Sequence, residues 1–216
     1  MEFKTVSLAD QVYDKLENDI ISGVYQRGEI LTELKLSEQL GVSRTPIREA
    51  LRRLEQERLI ADSGKGSIVL GITEEDVLDI MNIRQSVEGL AAYYATVNLT
   101  ESGRTELLHI VDLQDYYFSR DDIEHMRHID DEFHDCICRL SLRNVITDTL
   151  QPLHRKTRRY RRIAMEDRQR AAVTRREHRA ICEAILSGDA QLAAKLSSEH
   201  IKNAKEHMFG SVNNHG

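Results

Sequence analysis

Asp130 and His134 stand four residues apart in a stretch with helical periodicity, so both side chains leave one face of a helix and can grip a single ion. Asp131 and Asp135 face elsewhere. His178 and His200 lie in two later helical stretches, and one carboxylate with three imidazoles is a ligand set suited to a divalent transition metal. A plainer reading stands beside this one. The chain holds nine histidines, and His109, His125, His128, His154, His207 and His215 serve equally well in a false cluster assembled from spacing alone. An ion with free positions could also polarise a substrate or activate water, as in a metal-dependent enzyme, or it could be purely structural in a dimerisation module. No general base or nucleophile accompanies the four residues, which weighs against the enzyme.

A second chemistry is cationic. Arg44 and Arg48, again four apart, lie near the start of a helix that Ser43 is placed to cap and whose first turn takes Pro46. Residues 1–40 carry four basic against eight acidic side chains, a sum of −4, whereas residues 41–65 carry six against four, a sum of +2. Positive charge is therefore sorted onto one helix and the turn that follows it. That arrangement suits a helix in the major groove of duplex DNA with a loop against the phosphates. Arg44 and Arg48 are placed to touch base edges and Thr45 to reach a base or phosphate, while Arg52 and Arg53 meet phosphate or solvent.

Both groups of residues need a scaffold. Leu8, Val12, Leu16, Ile20 and Ile21 recur at helical spacing between a capping Ser7 and a terminating Gly23. Thr32 through Leu40 offers a short second helix with Leu34, Leu36 and Leu40 inward, stopped by Gly41. The third helix, from Ser43, buries Ile47, Leu51 and Leu54. Two helices joined by a short turn make a helix-turn-helix, although the two alone also fit an ordinary helical corner. The β-prone runs Leu59–Ala61 and Ser67–Leu70 flank Asp62-Ser63-Gly64-Lys65-Gly66, a hairpin signal, and the whole reads as a winged helix. From Thr73 to His207 the pattern is helical, with breaks near Leu99–Gly103, Ser119–Asp122, Ser141–Asn144, Glu166–Arg168 and Gly188, so about six helices follow. The fold class is mainly α: a winged helix-turn-helix over residues 1–71 and an all-helical bundle over residues 72–216. No Gly-rich phosphate loop is present, which excludes Rossmann and P-loop chemistry.

The net charge of −6 over 216 residues argues against a wholly basic nucleic-acid coat. Cys136, Cys138 and Cys182 lack metal-type spacing and sit in apolar helical patterns, so they read as buried thiols in a reducing compartment. No apolar run nears the roughly 18 residues of a membrane span and no signal peptide is evident, so a cytoplasmic protein is expected. Residues 155–179 hold eleven basic against three acidic side chains, +8, and residues 101–135 hold eleven acidic against three basic, −8. These segments are expected to complement each other. The alternative is that some of the arginines, with Arg84, point inward and hold an anionic effector.

The segment Leu36–Leu54, LSEQLGVSRTPIREALRRL, resembles the DNA-binding signature of GntR-type bacterial transcription regulators, and the resemblance covers about residues 7–71. It implies DNA contacts from Ser43, Arg44, Thr45, Pro46, Arg48 and Arg52 and from Lys65 and Gly66 at the hairpin tip. Leu34 stands where some members carry a DNA-touching arginine. Asp130-Asp131-Glu132-Phe133-His134, His178-Arg179-Ala180-Ile181 and the run to His200, with Asp76-Val77 and Arg84 to Glu88, resemble the FCD ligand-binding domain of the FadR subfamily, in its shorter, VanR-like, six-helix version. The resemblance implies a metal, zinc or nickel, on Asp130, His134, His178 and His200, with a small carboxylate on its open positions and Arg84 available to the effector. It implies a homodimer that reads a palindromic operator in duplex DNA and responds to an organic acid.

Overall fold

The computed structural model describes residues 7–210, which divide into two compact units meeting at Thr73 and Glu74. In the first, helix α1 (Leu8–Ser22) starts where Ser7 Oγ accepts the Asp10 N–H and stops at Gly23, whose φ of 82° is the left-handed conformation that ends helices. Strand β1 (Ile30–Leu31) leads to α2 (Glu33–Leu40), capped by Thr32 and ended by left-handed Gly41. The turn 41–43 delivers α3 (Arg44–Gln56), then β2 (Ile60–Asp62) and β3 (Ser67–Val69). The sheet order is β1-β3-β2, antiparallel throughout, with Ile68 opposite both Ile30 and Ala61. Val12, Leu16, Ile20, Leu36, Ile47, Leu51, Leu54 and Val69 fill one core between the helices and the sheet.

Three local expectations are corrected. Ser43 begins α3 in an extended conformation, but its side chain makes no cap hydrogen bond. Pro46 occupies the third helical position and lacks the N–H that a capping hydroxyl would accept. Leu34 is 51% exposed, because it stands two positions, about 200° around the helix, from buried Leu36. Leu8 is also exposed, at the first position of α1 and ahead of the core. Strand β1 was not legible as a strand, since two residues show no alternation.

In the second unit, α4 (Glu74–Val97), α5 (Glu101–Ser119), α6 (Ile123–Leu140), α7 (Asn144–Ala164), α8 (Arg168–Leu186) and α9 (Ala190–Gly210) follow one another, the six helices read from the pattern. Thr100, Asp122 and Asp167 cap α5, α6 and α8 at the expected breaks. Helix α4 packs most extensively on α9. Gly89 permits this approach, since a Cβ there would stand 3.0 Å from the Ala194 carbonyl oxygen. The core includes Ala92, Ala95, Leu107, Val111, Phe133, Ile137, Leu150, Ile181 and Ile185. Cys136, Cys138 and Cys182 are free and buried within it; burial pushes the Cys136 thiol up to about 12 and the Cys182 thiol up to about 11.

Candidate metal centre and DNA-reading surface

Helix α6 carries Asp130 and His134, α8 carries His178 and α9 carries His200, and all four side chains are buried. The structure brings them together. The candidate ligand nitrogens of His134, His178 and His200 lie within 4.8 Å of one another; His178 Nε2 is 3.2 Å from His200 Nε2 and 4.0 Å from Asp130 Oδ1. Phe133 stacks on the His178 ring with centroids 3.9 Å apart, which fixes the plane of that imidazole.

The opposite nitrogen of each ring is held from behind. His134 Nδ1 is 3.1 Å from Glu88 Oε2 and His200 Nδ1 is 2.8 Å from Glu177 Oε2. A carboxylate only accepts, so both Nδ1 atoms carry the proton and both Nε2 atoms present a lone pair. His178 Nδ1 faces the Gln114 amide, whose nitrogen is 2.9 Å and whose oxygen is 3.2 Å away, so this contact holds the ring in place and serves either tautomer. His134 Nε2 and Asp130 Oδ2 are buried without a hydrogen-bond partner. Burial drives the His134 and His178 imidazoles well below their ordinary value, so they are neutral and able to ligate. Burial also raises the Asp130 carboxyl against the pull of Arg161. Three imidazoles from three helices, each hydrogen-bonded from behind, with their ring nitrogens gathered beside a buried carboxylate, fit a divalent ion.

Glu88, His134 and His154 form an adjoining cluster of different character. Glu88 Oε1 accepts from Arg84 Nε at 2.7 Å and lies 3.1 Å from His154 Nε2, while its Oε2 faces His134. The guanidinium already fills the place of a cation. Burial works to raise the Glu88 carboxyl, but Arg84 and His134 prevail and hold it well below its ordinary value. Glu88, Gln114, Glu177 and His154 are the functional neighbours that reading the sequence did not assign. Gln114 had a signal: it continues the buried stripe Leu107, Ile110, Val111 as the one polar member.

A small cavity, with about 20 Å³ of room for water, opens on Asp130, His134 and His200 and is lined further by Arg84, Arg161, Arg170 and Met165. Arg84 is 1% exposed and gives Nη1 to Thr157 Oγ1 at 2.8 Å, while its Nη2 is buried without a partner. Arg161 pairs with Asp131 and leaves Nε and Nη1 without hydrogen-bond partners, the Nε 3.6 Å from Asp130 Oδ2. The charge runs do complement each other: Arg158 meets Asp131, Arg175 and Arg179 meet Asp115, and Arg127 meets Glu166. Arg161 and Arg170, with Arg84 from α4, are the inward exceptions.

In the first unit, Ser43 just before α3 and Arg44, Thr45, Arg48 and Arg52 along it are exposed, and Lys65 is exposed in the β2–β3 turn. Two residues of this face, Pro46 and Arg53, are placed differently from expectation, and Gly66 is half-buried at the turn. Pro46 is buried and shapes α3 without facing outward. Arg53 turns to α1, bonding Asp10 at 2.6 Å and stacking over the Tyr13 ring at 3.9 Å. Gly66, at φ 143°, has its α-carbon so near β1 that a Cβ would stand 2.6 Å from the Leu31 carbonyl oxygen, which reserves the position for glycine. Arg48 gives Nε and Nη2 to the two oxygens of Glu33 at 2.8 Å each.

Residues 8–69 match the family described as bacterial regulatory proteins, gntR family, and residues 79–203 match the FCD domain. The chain is 28% identical over 201 residues to an uncharacterized HTH-type transcriptional regulator, YdhC, of Bacillus subtilis (strain 168), covering 92% of this chain and 89% of that protein. It is 26% identical over 203 residues to the HTH-type transcriptional repressor RspR of Escherichia coli (strain K12), covering 94% and 89%. Among solved structures, E. coli McbR/YncC superposes with a TM-score of 0.79 at 21% identity over 96% of this chain and 100% of that one, which shows the shared fold. None of these relatives is an enzyme by its name, and no described helix is long and apolar enough to cross a membrane. The helix-turn-helix with its small sheet, the six-helix bundle that follows it in the chain and both profile matches place this chain in the GntR family of bacterial transcription regulators, among the members that carry an FCD domain.

Proposed function

We propose that the chain is a metabolite-responsive, homodimeric regulator that reads a palindromic operator through α3 and the β2–β3 turn and senses a small organic acid at a divalent ion. The observation that carries the sensing half is that the ring nitrogens of His134, His178 and His200 lie within 4.8 Å of one another beside buried Asp130, whose Oδ1 is 4.0 Å from His178 Nε2. Asp130, His134, His178 and His200 would hold the ion, zinc or nickel. When bound, it supplies a Lewis-acid centre with positions open to oxygen donors. Arg84 and Arg161 supply what the ion does not: unpartnered N–H groups on the cavity wall that match a second anionic group in plane. These free donors favour a sensory ion over a purely structural one.

Self-association has its own support. Ile83, Leu90 and Val97 are exposed on α4 at seven-residue intervals, a continuous apolar stripe of the kind that pairs with its own copy. The acid must then bind one arrangement of the dimer better than another, and the stretch Leu70–Asp76 is the covalent route between the units. A preference of about 1–3 kcal/mol would change operator affinity roughly 5- to 150-fold, and DNA would change acid affinity equally. A regulator of this kind acts where DNA is, in the cytoplasm.

The test is native mass spectrometry of the full chain, followed by titration of sugar acids, hydroxy acids and dicarboxylates with and without operator. A dimer carrying one ion per subunit, lost in the His134→Ala, His178→Ala double variant, is expected. An acid that binds equally well without metal, or leaves operator affinity unchanged, would reject metal-centred sensing.

A further inference from the structure

We propose that Glu33 is a specificity-determining residue of the DNA-reading surface: it holds one edge of the Arg48 guanidinium so that the other edge is presented to a guanine. The inference rests on the reading of α3 as the recognition helix. Two parallel hydrogen bonds, Nε to Oε1 and Nη2 to Oε2, both 2.8 Å, fix the plane and direction of the Arg48 head group. The partners come from different helices. Glu33 is the first residue of α2, set by the Thr32 cap, and Arg48 lies in the second turn of α3, so the helix-turn-helix geometry itself sets the aim.

The pair is solvent-facing, with side-chain exposures of 69% for Arg48 and 32% for Glu33, and an ion pair so placed contributes little to stability. Its geometry matters more than its strength. Arginine has five N–H donors; two are taken by Glu33, and those left on the Nη1–Nη2 end form the fork that matches the O6 and N7 acceptors of guanine. A free arginine of this length swings between base and phosphate, whereas a buttressed one gives up the phosphate. Among the described residues, Arg44 and Arg52, the other exposed arginines of this face, are not held by a two-point carboxylate bond, although the charge of Arg44 also acts on Glu33. Arg48 is thereby set apart as the preorganised reader.

A carboxylate at this place has a second effect, of opposite sign. Facing a polyanion, it weakens sequence-independent binding by one unit of charge. Removing it must therefore tighten binding to unrelated DNA while loosening the choice of base. A merely structural tie would change neither, and a merely competing acid would change affinity with base preference intact.

The experiment is selection of bound sequences from a randomised duplex pool by the full-length wild type, Glu33→Ala, Glu33→Gln and Arg48→Ala proteins, with affinity for an unrelated duplex measured in parallel. Unchanged melting temperatures establish that the variants fold. The expected result is a palindromic wild-type motif in which one G·C pair per half-site loses about tenfold or more of its preference in Glu33→Ala, the same pair that Arg48→Ala loses. Glu33→Gln, with one accepting oxygen, should fall between, and Glu33→Ala should bind the unrelated duplex more tightly. Base preferences in Glu33→Ala equal to wild type at every position, or lost at a pair other than that of Arg48→Ala, would overturn the inference while leaving the recognition-helix reading intact. A wild-type protein that enriches no motif would overturn that reading and this inference with it.

Discussion

His178 Nε2 on α8 and His200 Nε2 on α9 face each other across 3.2 Å, each on a ring whose far nitrogen is hydrogen-bonded elsewhere. Two ring nitrogens so placed either share a proton or, when both are unprotonated, face a common cation. Zinc or nickel at about a hundred times its dissociation constant should raise unfolding stability by about 2.7 kcal/mol through mass action. Calorimetry before and after chelation measures it. The His134→Ala, His178→Ala double variant should show no metal-dependent shift, and a shift retained there would place the ion elsewhere.

Glu177 does more than neutralise charge. It accepts from His200 Nδ1 and also receives the Asn203 amide at 2.7 Å, so it fixes both the tautomer and the plane of the ligand ring. Loss of an outer partner of this kind costs about 10- to 100-fold in metal affinity. Glu177→Ala should show that loss in competition with a chromophoric chelator, and Glu177→Gln, which keeps an acceptor, should recover part of it. Equal affinities in all three proteins would remove Glu177 from the support of the site.

Arg48 and Arg52 lie one turn apart on α3 yet should fail differently. Arg48→Ala should cost about 1–3 kcal/mol of binding to the selected operator and little on unrelated DNA. Arg52→Ala should weaken both alike and lower the slope of log affinity against log salt by about one. Titrations at several salt concentrations separate the two, and identical profiles would mean that base reading and phosphate contact are not divided between them.

Asp115 predicts an acid dependence of stability. Burial works to raise its carboxyl, but Arg175 and Arg179 prevail and hold it below the ordinary value of 3.8. A depressed carboxyl stabilises the fold above its unfolded value, and that contribution is lost as pH falls through the folded value. Because the group is largely solvent-screened, the effect should be modest. Urea midpoints of wild type and Asp115→Asn should differ by a steady amount from neutrality down to about pH 3.8 and converge below it; no gap near neutrality, or a gap that persists undiminished well below that pH, would mean that the ion pairs contribute nothing.

The elements were legible wherever one residue type decides the local backbone. Ser7 and Gly23 bound α1, Thr32 and Gly41 bound α2, and Thr100, Asp122 and Asp167 open helices at the breaks in the pattern. Ser43 failed as a cap because Pro46 removes the donor, an effect of two residues together. Asp130, His134, His178 and His200 could be singled out as candidate ligands, with the plainer reading beside them. Which polar residue would stand behind each ring could not be read, because Glu88, Gln114 and Glu177 reach the histidines only through packing between helices. His154 was set aside with the surplus histidines, yet it shares Glu88 with His134. Arg53 looked like one more cation of the DNA face until α1 offered it Asp10 and a tyrosine ring.

The candidate ligands span seventy positions of the chain, from Asp130 to His200, and only Asp130 and His134 are close together before the bundle has formed. An ion that needs all four therefore binds late in folding, after α6, α8 and α9 have paid the entropy of long-range closure. The unfolded chain offers at most a two-point site, so metal affinity becomes folding free energy almost in full. The amount of competent regulator would then follow the supply of metal as well as of metabolite. Newly made chains in a metal-poor cell would persist in an open form, exposed to proteolysis, before any effector is sensed.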